Sequence, residues 1–240
     1  MGDEARILIV CTGNICRSPF IERLLQHQLD ERWPGSDREF IVGSAGTAAL
    51  VGSAMDPQAA AQLESYGGDA SRFRARDLSP ALVAESNLVL TATRAHRGKV
   101  AMMSPKVLRR VFTFRDFADL VAGIDGPIAS GTLTDPRAWV QQVAEKAAAS
   151  RGLKPPLAPG AADIVDPYRR EDEVFATMAQ QILGSMPAVV RTLVGLHGRL
   201  AHLLPRCRCG PRGAGGLGRH PRRGGAALYP HHWYRHELGE

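Results

Sequence analysis

Four short apolar runs alternate with longer stretches in which apolar side chains recur at helical spacing. The runs at 7–11, 40–42, 88–90 and 111–114 are of strand length and lack a polar alternation, the pattern of strands covered on both faces. Between them, 19–31, 57–66, 94–102 and 115–121 predict helices; in the first, Phe20, Ile21, Leu24, Leu25 and Leu29 fall on one stripe. Strand and helix in regular succession predict an α/β fold, a parallel sheet with helices on both faces. The succession lapses over 122–162, where Gly, Pro and Ser bracket one Ala-rich helix at 139–150 and a Pro-rich run closes the segment; it reads as an excursion inserted on the domain surface. Helical spacing returns at 172–183 and 187–204, the second with Val189, Val190, Leu193, Leu196, Leu200 and Leu203 as its apolar side. From residue 205 to 240 the chain carries eight Gly, four Pro and seven Arg and little that could pack, so it reads as a disordered tail.

Charge changes this picture little. The formal net charge is +6, but the tail supplies seven Arg against two Glu, and residues 1–204 carry 23 basic and 22 acidic side chains. The body has no basic field of the kind that phosphate-backbone binding needs. Four cysteines in 240 residues are too few for a disulfide framework, which points to a reducing compartment. The N-terminus reaches only a five-residue apolar run, so no signal or transit peptide is expected, and no stretch approaches the ~20 apolar residues of a membrane span. These readings together predict a cytoplasmic protein.

The chemistry concentrates where the first strand meets the first helix, in Cys11-Thr12-Gly13-Asn14-Ile15-Cys16-Arg17-Ser18-Pro19. A strand, a tight loop and a helix N-terminus aim backbone N–H groups at one point, which makes an anion site. Phosphate is the expected anion, with Cys11 at the base of the loop, favoured as thiolate by the helix dipole and the Arg17 guanidinium. Arg17 can fork onto two phosphate oxygens. Gly13 lets the backbone approach the ligand, Asn14 tolerates a left-handed conformation, Ser18 can donate to the sulfur, and Pro19 suits a first helical turn. Neither the Gly-x-x-x-x-Gly-Lys loop nor the Gly-x-Gly-x-x-Gly fingerprint occupies this turn, which sets nucleotide binding aside.

Residue for residue over 11–19, the motif resembles the signature of the low-molecular-weight protein tyrosine phosphatases. The resemblance continues at Ser44-Ala45-Gly46-Thr47, at Asp56-Pro57 and at Asp166-Pro167-Tyr168. It implies a flavodoxin-like fold, a four-stranded parallel sheet in a three-layer α/β/α arrangement, and a phosphatase that hydrolyses phosphotyrosine in proteins without metal or other cofactor. By the same resemblance Cys11 is the nucleophile, Arg17 and the loop from Thr12 through Gly13, Asn14, Ile15, Cys16 and Ser18 bind phosphate, and Asp166 is the general acid. Ser44 would steady Asn14, and Leu50 and Tyr168 would wall the substrate ring, Leu50 where the family often has an aromatic. Cys16 would either form a protective disulfide with Cys11 or simply pack the loop. The implied partner is a phosphotyrosine protein, such as an autophosphorylating tyrosine kinase, and not a membrane.

Three Asp-Pro dipeptides compete for the acid's role, at Asp56, Asp135 and Asp166, and Asp-Pro is common in turns for backbone reasons alone. Asp166 is preferred because a Tyr follows the Pro and an acidic helical segment comes next. A thiol-coupled arsenate reductase of the same fold is the alternative, although it relays a disulfide through mid-chain cysteines and this chain has none between Cys16 and Cys207. A further alternative is an impaired relative whose tail binds nucleic acid or a protein partner. The tail's Tyr229, Trp233 and Tyr234 could stack on bases, but a solvated extension is the simpler reading, and Cys207-x-Cys209 with the nearby histidines fits no standard metal spacing.

Overall fold

A computed structural model describes residues 4–32, 39–122, 135–153 and 155–195. Four strands, β1 (Ala5–Cys11), β2 (Phe40–Gly46), β3 (Leu88–Thr91) and β4 (Val111–Thr113), form one sheet in the order β2-β1-β3-β4, with every pairing parallel. The helices are α1 (Arg17–Arg32), α2 (Pro57–Ser65), α3 (Pro80–Glu85), α4 (Arg94–Met103), α5 (Phe114–Ala122), α6 (Pro136–Ala149) and α7 (Asp172–Val194), with a 3-10 turn at Pro105–Arg110.

The continuous apolar runs follow from burial on both faces. Successive side chains of a strand point to opposite sides: in β1, Ile7 and Ile9 join α1, α2, α5, α6 and α7 in the larger core, while Leu8 and Val10 pack with Val83 of α3, Val100 of α4 and Val107. In β3, Leu88 and Leu90 face the first group and Val89 the second. This is the predicted doubly covered parallel sheet. With strand order 2-1-3-4, chain direction on leaving the sheet reverses between β1 and β3, and the carboxyl ends of those strands flank the crevice where ligands of such folds bind.

Three expectations change on folding. The six-residue helix α3 has no counterpart in the sequence reading; it is too short to show a period, and Ser79 caps it through the Leu82 N–H. The break expected between 183 and 187 does not occur, because α7 runs through Pro187. An internal proline costs a helix about 3 kcal/mol, but the stripe Ile182, Met186, Val189, Val190 and Leu193 is fully buried on either side of it and holds the helix together. Thirdly, α6 is not a surface excursion. Trp139, Val140, Val143, Ala144 and Ala147 lie in the main core, and the Trp139 indole donates to the carbonyls of Leu193 (2.8 Å) and Thr192 (3.2 Å) at the end of α7. Gly195 closes α7 at φ +64°, and a Cβ there would stand 2.7 Å from Trp139 Cζ2, so both backbone and space require glycine. Much of 122–134, the apolar positions Leu196, Leu200 and Leu203, and the 205–240 tail lie outside the described residues.

Candidate active site

The loop between β1 and α1 is held from outside through its carbonyls. Cys11 O, Thr12 O and Gly13 O accept from the N–H groups of Thr47 (2.9 Å), Ala48 (3.0 Å) and Leu50 (3.0 Å); Ile15 O accepts from Asp56 N (2.9 Å) and Cys16 O from Phe20 N (3.1 Å). In a trans peptide the carbonyl of one residue and the N–H of the next point in opposite directions. Five outward carbonyls therefore turn the N–H groups of Thr12, Gly13, Asn14, Cys16 and Arg17 inward, at the N-terminus of α1. Such a nest binds an anion through backbone dipoles alone. Gly46 makes the fit possible, since a Cβ there would meet Thr12 O at 2.3 Å.

Asn14 locks the curl. It is fully buried at φ +55°, a left-handed conformation that a side chain adopts only when its surroundings insist. Its Nδ2 donates to Ser18 Oγ (2.9 Å) and Ser44 Oγ (2.7 Å), and its Oδ1 accepts from the Arg76 N–H (2.9 Å). Ser44 in turn donates to Glu22, whose carboxyl is pushed up by burial and drawn back by that hydrogen bond and by Arg23. Because Ser18 Oγ already accepts from Asn14, its own proton is free for Cys11 Sγ at 2.9 Å, a donor suited to a thiolate.

Both loop cysteines are free thiols and both are buried. Cys16 is driven far up the thiol range by burial, with the negative charge of Asp56 adding to it, so it stays protonated at neutral pH.

Arg17, 4% exposed, reaches Asp166 Oδ2 with Nη2 at 2.7 Å and the Ile164 carbonyl with Nη1 at 3.5 Å, while its Nε is buried without a partner among the described residues. A buried guanidinium N–H of this kind, beside the nest, suits a further acceptor. Asp166 is brought there by a segment pinned at Ile164 N to Ala92 O (2.9 Å) and Val165 N to Gln181 Oε1 (2.9 Å). The carboxylates of the other two Asp-Pro dipeptides are taken up as helix caps: Asp56, beside the loop, caps α2 through Gln58 and Ala59, and Asp135 caps α6 through Arg137 and Ala138. Leu50 and Tyr168, expected as ring walls, are 44% and 41% exposed.

Sequence reasoning missed His96. It is buried at the start of α4, with Nε2 2.8 Å from Thr12 Oγ1 and Nδ1 2.7 Å from Thr93 Oγ1. Burial first, then the charges of Arg17 and Lys99, brings its pKa down to about 4, so the ring is neutral. Glu22 and Arg76 were also missed in their buttressing role; no local pattern marks them, since their partners are 22 to 62 residues away. A concavity of about 560 Å³ between α4, α5 and the 151–159 segment contains none of the loop residues, and the phosphate chemistry does not belong to it.

Residues 6–150 match the model of the low molecular weight phosphotyrosine protein phosphatase family, well over half of the chain. This chain belongs to that family. Among relatives, the low molecular weight protein-tyrosine-phosphatase Wzb of Salmonella typhi is 37% identical over 109 residues, 45% of this chain and 68% of that protein. The Wzb tyrosine phosphatase of Escherichia coli K30, solved in complex with sulphate, superposes with TM-score 0.54 at 25% identity, over 79% of this chain and 99% of that one. The YwlE arginine phosphatase from Geobacillus stearothermophilus superposes with TM-score 0.56 at 25% identity, over 82% and 97%. The flavodoxin-like α/β fold read from the sequence is the fold of these neighbours. As a member of this family the protein is a phosphatase of phosphotyrosine in proteins, and a cysteinyl-phosphate mechanism fits the family. Among the described residues no helix is long and apolar enough to cross a membrane.

Proposed function

We propose that Cys11, Arg17 and Asp166 carry this phosphatase reaction. The phosphoryl group of the substrate occupies the nest, its equatorial oxygens on the inward N–H groups and on Arg17. Cys11 Sγ attacks phosphorus as the ester P–O bond breaks, and Asp166 gives its proton to the departing phenolate. Water then attacks the phosphocysteine; the S–P bond breaks, Asp166 takes the proton and inorganic phosphate leaves. The observation that carries this reading is the 2.7 Å contact of Arg17 with Asp166, which sets the only Asp-Pro carboxylate not spent on a helix cap beside the loop. The matched family stretch ends before Asp166, so its place rests on this contact.

In this reading residues 1–204 form the phosphatase unit, with 122–162 inserted and 205–240 as an appended tail, and the protein works in the cytoplasm on a phosphotyrosine protein such as an autophosphorylating tyrosine kinase. The half-exposed Leu50 and Tyr168 are the walls that would meet the aryl ring; because the fold is shared with an arginine phosphatase, a phosphoarginine substrate is the control.

The test is turnover of para-nitrophenyl phosphate and of a phosphotyrosine peptide in EDTA, by wild type, Cys11→Ser, Asp135→Ala and Asp166→Ala. The expected result is activity absent in Cys11→Ser, strongly reduced in Asp166→Ala and retained in Asp135→Ala. A folded wild type inactive on both substrates, or preferring phosphoarginine, refutes the reading.

A further inference from the structure

We propose that His96 is a positioning residue of the phosphatase site, holding the Thr12 hydroxyl so that its proton is offered to the anion in the loop. The inference rests on the phosphatase reading above and concerns a residue 84 positions away from the loop in the chain.

The argument is one of proton accounting. The Thr93 hydroxyl oxygen accepts the His96 backbone N–H at 3.3 Å, as the cap of α4, and also lies 2.7 Å from Nδ1. A neutral imidazole has one N–H and one bare nitrogen, so two arrangements exist. If Nδ1 carried the proton, Thr93 Oγ1 would accept twice and its own proton would have no acceptor among the described residues, in a half-buried position. If Nε2 carries it, Thr93 donates to Nδ1 and Nε2–H donates to Thr12 Oγ1, so each buried partner is satisfied. The second arrangement leaves one proton over, that of the exposed Thr12 hydroxyl, on the first residue after Cys11. The Thr12 N–H already turns into the nest, since the Cys11 carbonyl is bound outside by Thr47. The side chain therefore starts at the rim of the anion site, fixed at one end by a ring that is itself fixed by a helix cap. A donor so oriented does not have to be ordered when charge builds on the phosphoryl oxygens. His96 cannot contribute a positive charge at neutral pH; it acts through Thr12.

The experiment measures kcat, KM and the competitive inhibition constant of inorganic phosphate for the full chain as wild type, His96→Phe, Thr12→Val, Thr93→Val, His96→Gln and the double variant His96→Phe/Thr12→Val. Loss of one oriented donor is expected to lower kcat about tenfold and to weaken phosphate inhibition by a similar factor in His96→Phe and Thr12→Val. The double variant is expected to lose no more than the worse single one, because both remove the same proton. His96→Gln, which can place an amide N–H near the Nε2 position, is expected to recover activity to within about threefold. Wild-type values in Thr12→Val, or losses in the two singles that multiply in the double, overturn the inference. If His96→Phe does not fold, the Thr12→Val and Thr93→Val values decide alone, Thr93→Val being expected to follow Thr12→Val. An inactive wild type would instead strike at the phosphatase reading, so the two failures are distinguishable.

Discussion

Asp135-Pro136 and Asp166-Pro167 are the same dipeptide in two regions of one chain, and they end in different chemistry. At Asp135 the helix α6 begins at the proline, so the carboxylate folds onto the N–H groups of Arg137 and Ala138 and is used up as a cap. At Asp166 the next helix in the chain does not begin until Asp172, so the carboxylate has no following first turn to cap and reaches Arg17 instead. Its one local bond is a longer one from Tyr168 N (3.3 Å). The difference teaches that an Asp-Pro carboxylate stays free to reach a distant partner when the chain withholds the helix that would cap it. One region is anchored by Trp139 in the core; the other is anchored on the buried Arg17 at the start of α1, where the proposed acid would act.

The largest effect that would break this contrast is on turnover. Asp166→Ala should lower kcat roughly 10²–10⁴-fold, the usual contribution of a positioned acid, with its urea midpoint nearly unchanged; turnover within threefold of wild type would put the acid elsewhere. Trp139→Ala should show the converse in equilibrium denaturation, losing about 3–5 kcal/mol of stability from the emptied core site while the molecules still folded keep wild-type kcat. Asp135→Ala should lose only about 1 kcal/mol, the ordinary value of an N-cap, and leave kcat within twofold. A catalytic defect there without a stability change would reverse the two assignments.

The smallest effect is a slope with pH. His96 has a folded pKa of about 4 against 6.5 for the free side chain, so between those values the unfolded chain takes up a proton that the fold excludes. Its neutral, buried state contributes fully above pH 6.5, and that contribution is lost as pH falls toward 4. Urea midpoints of wild type and His96→Phe across that window should diverge in slope, the wild type falling more steeply. Parallel slopes would mean that the ring is protonated in the fold, and would remove the neutral imidazole on which the Thr12 arrangement depends.

Much of this protein was legible one residue at a time. The unbroken apolar runs announced strands covered on both faces, because only a doubly wound sheet buries every side chain of a run such as 7–11. The nine residues from Cys11 to Pro19 announced an anion loop, because a Gly, an Asn that tolerates a left-handed turn, a helix start and an Arg within one turn are residue types whose local preferences suit such a loop. What needed the tertiary structure depended on partners far along the chain. Pro187 is tolerated inside α7 because buried side chains on both sides of it outweigh a missing hydrogen bond, and α6 belongs to the core because Trp139 finds the carbonyls of Thr192 and Leu193. Glu22, Arg76 and His96 support the loop across gaps of 22 to 84 residues with no period or motif to mark them, while Ser44 was marked only by the resemblance. Among three identical dipeptides the sequence preferred Asp166 from its neighbours alone, and only the fold brings its carboxylate within 2.7 Å of a guanidinium 149 residues away. Local sequence determines what a segment can do; the contacts that folding forms between distant segments decide which of those capacities remains free to act.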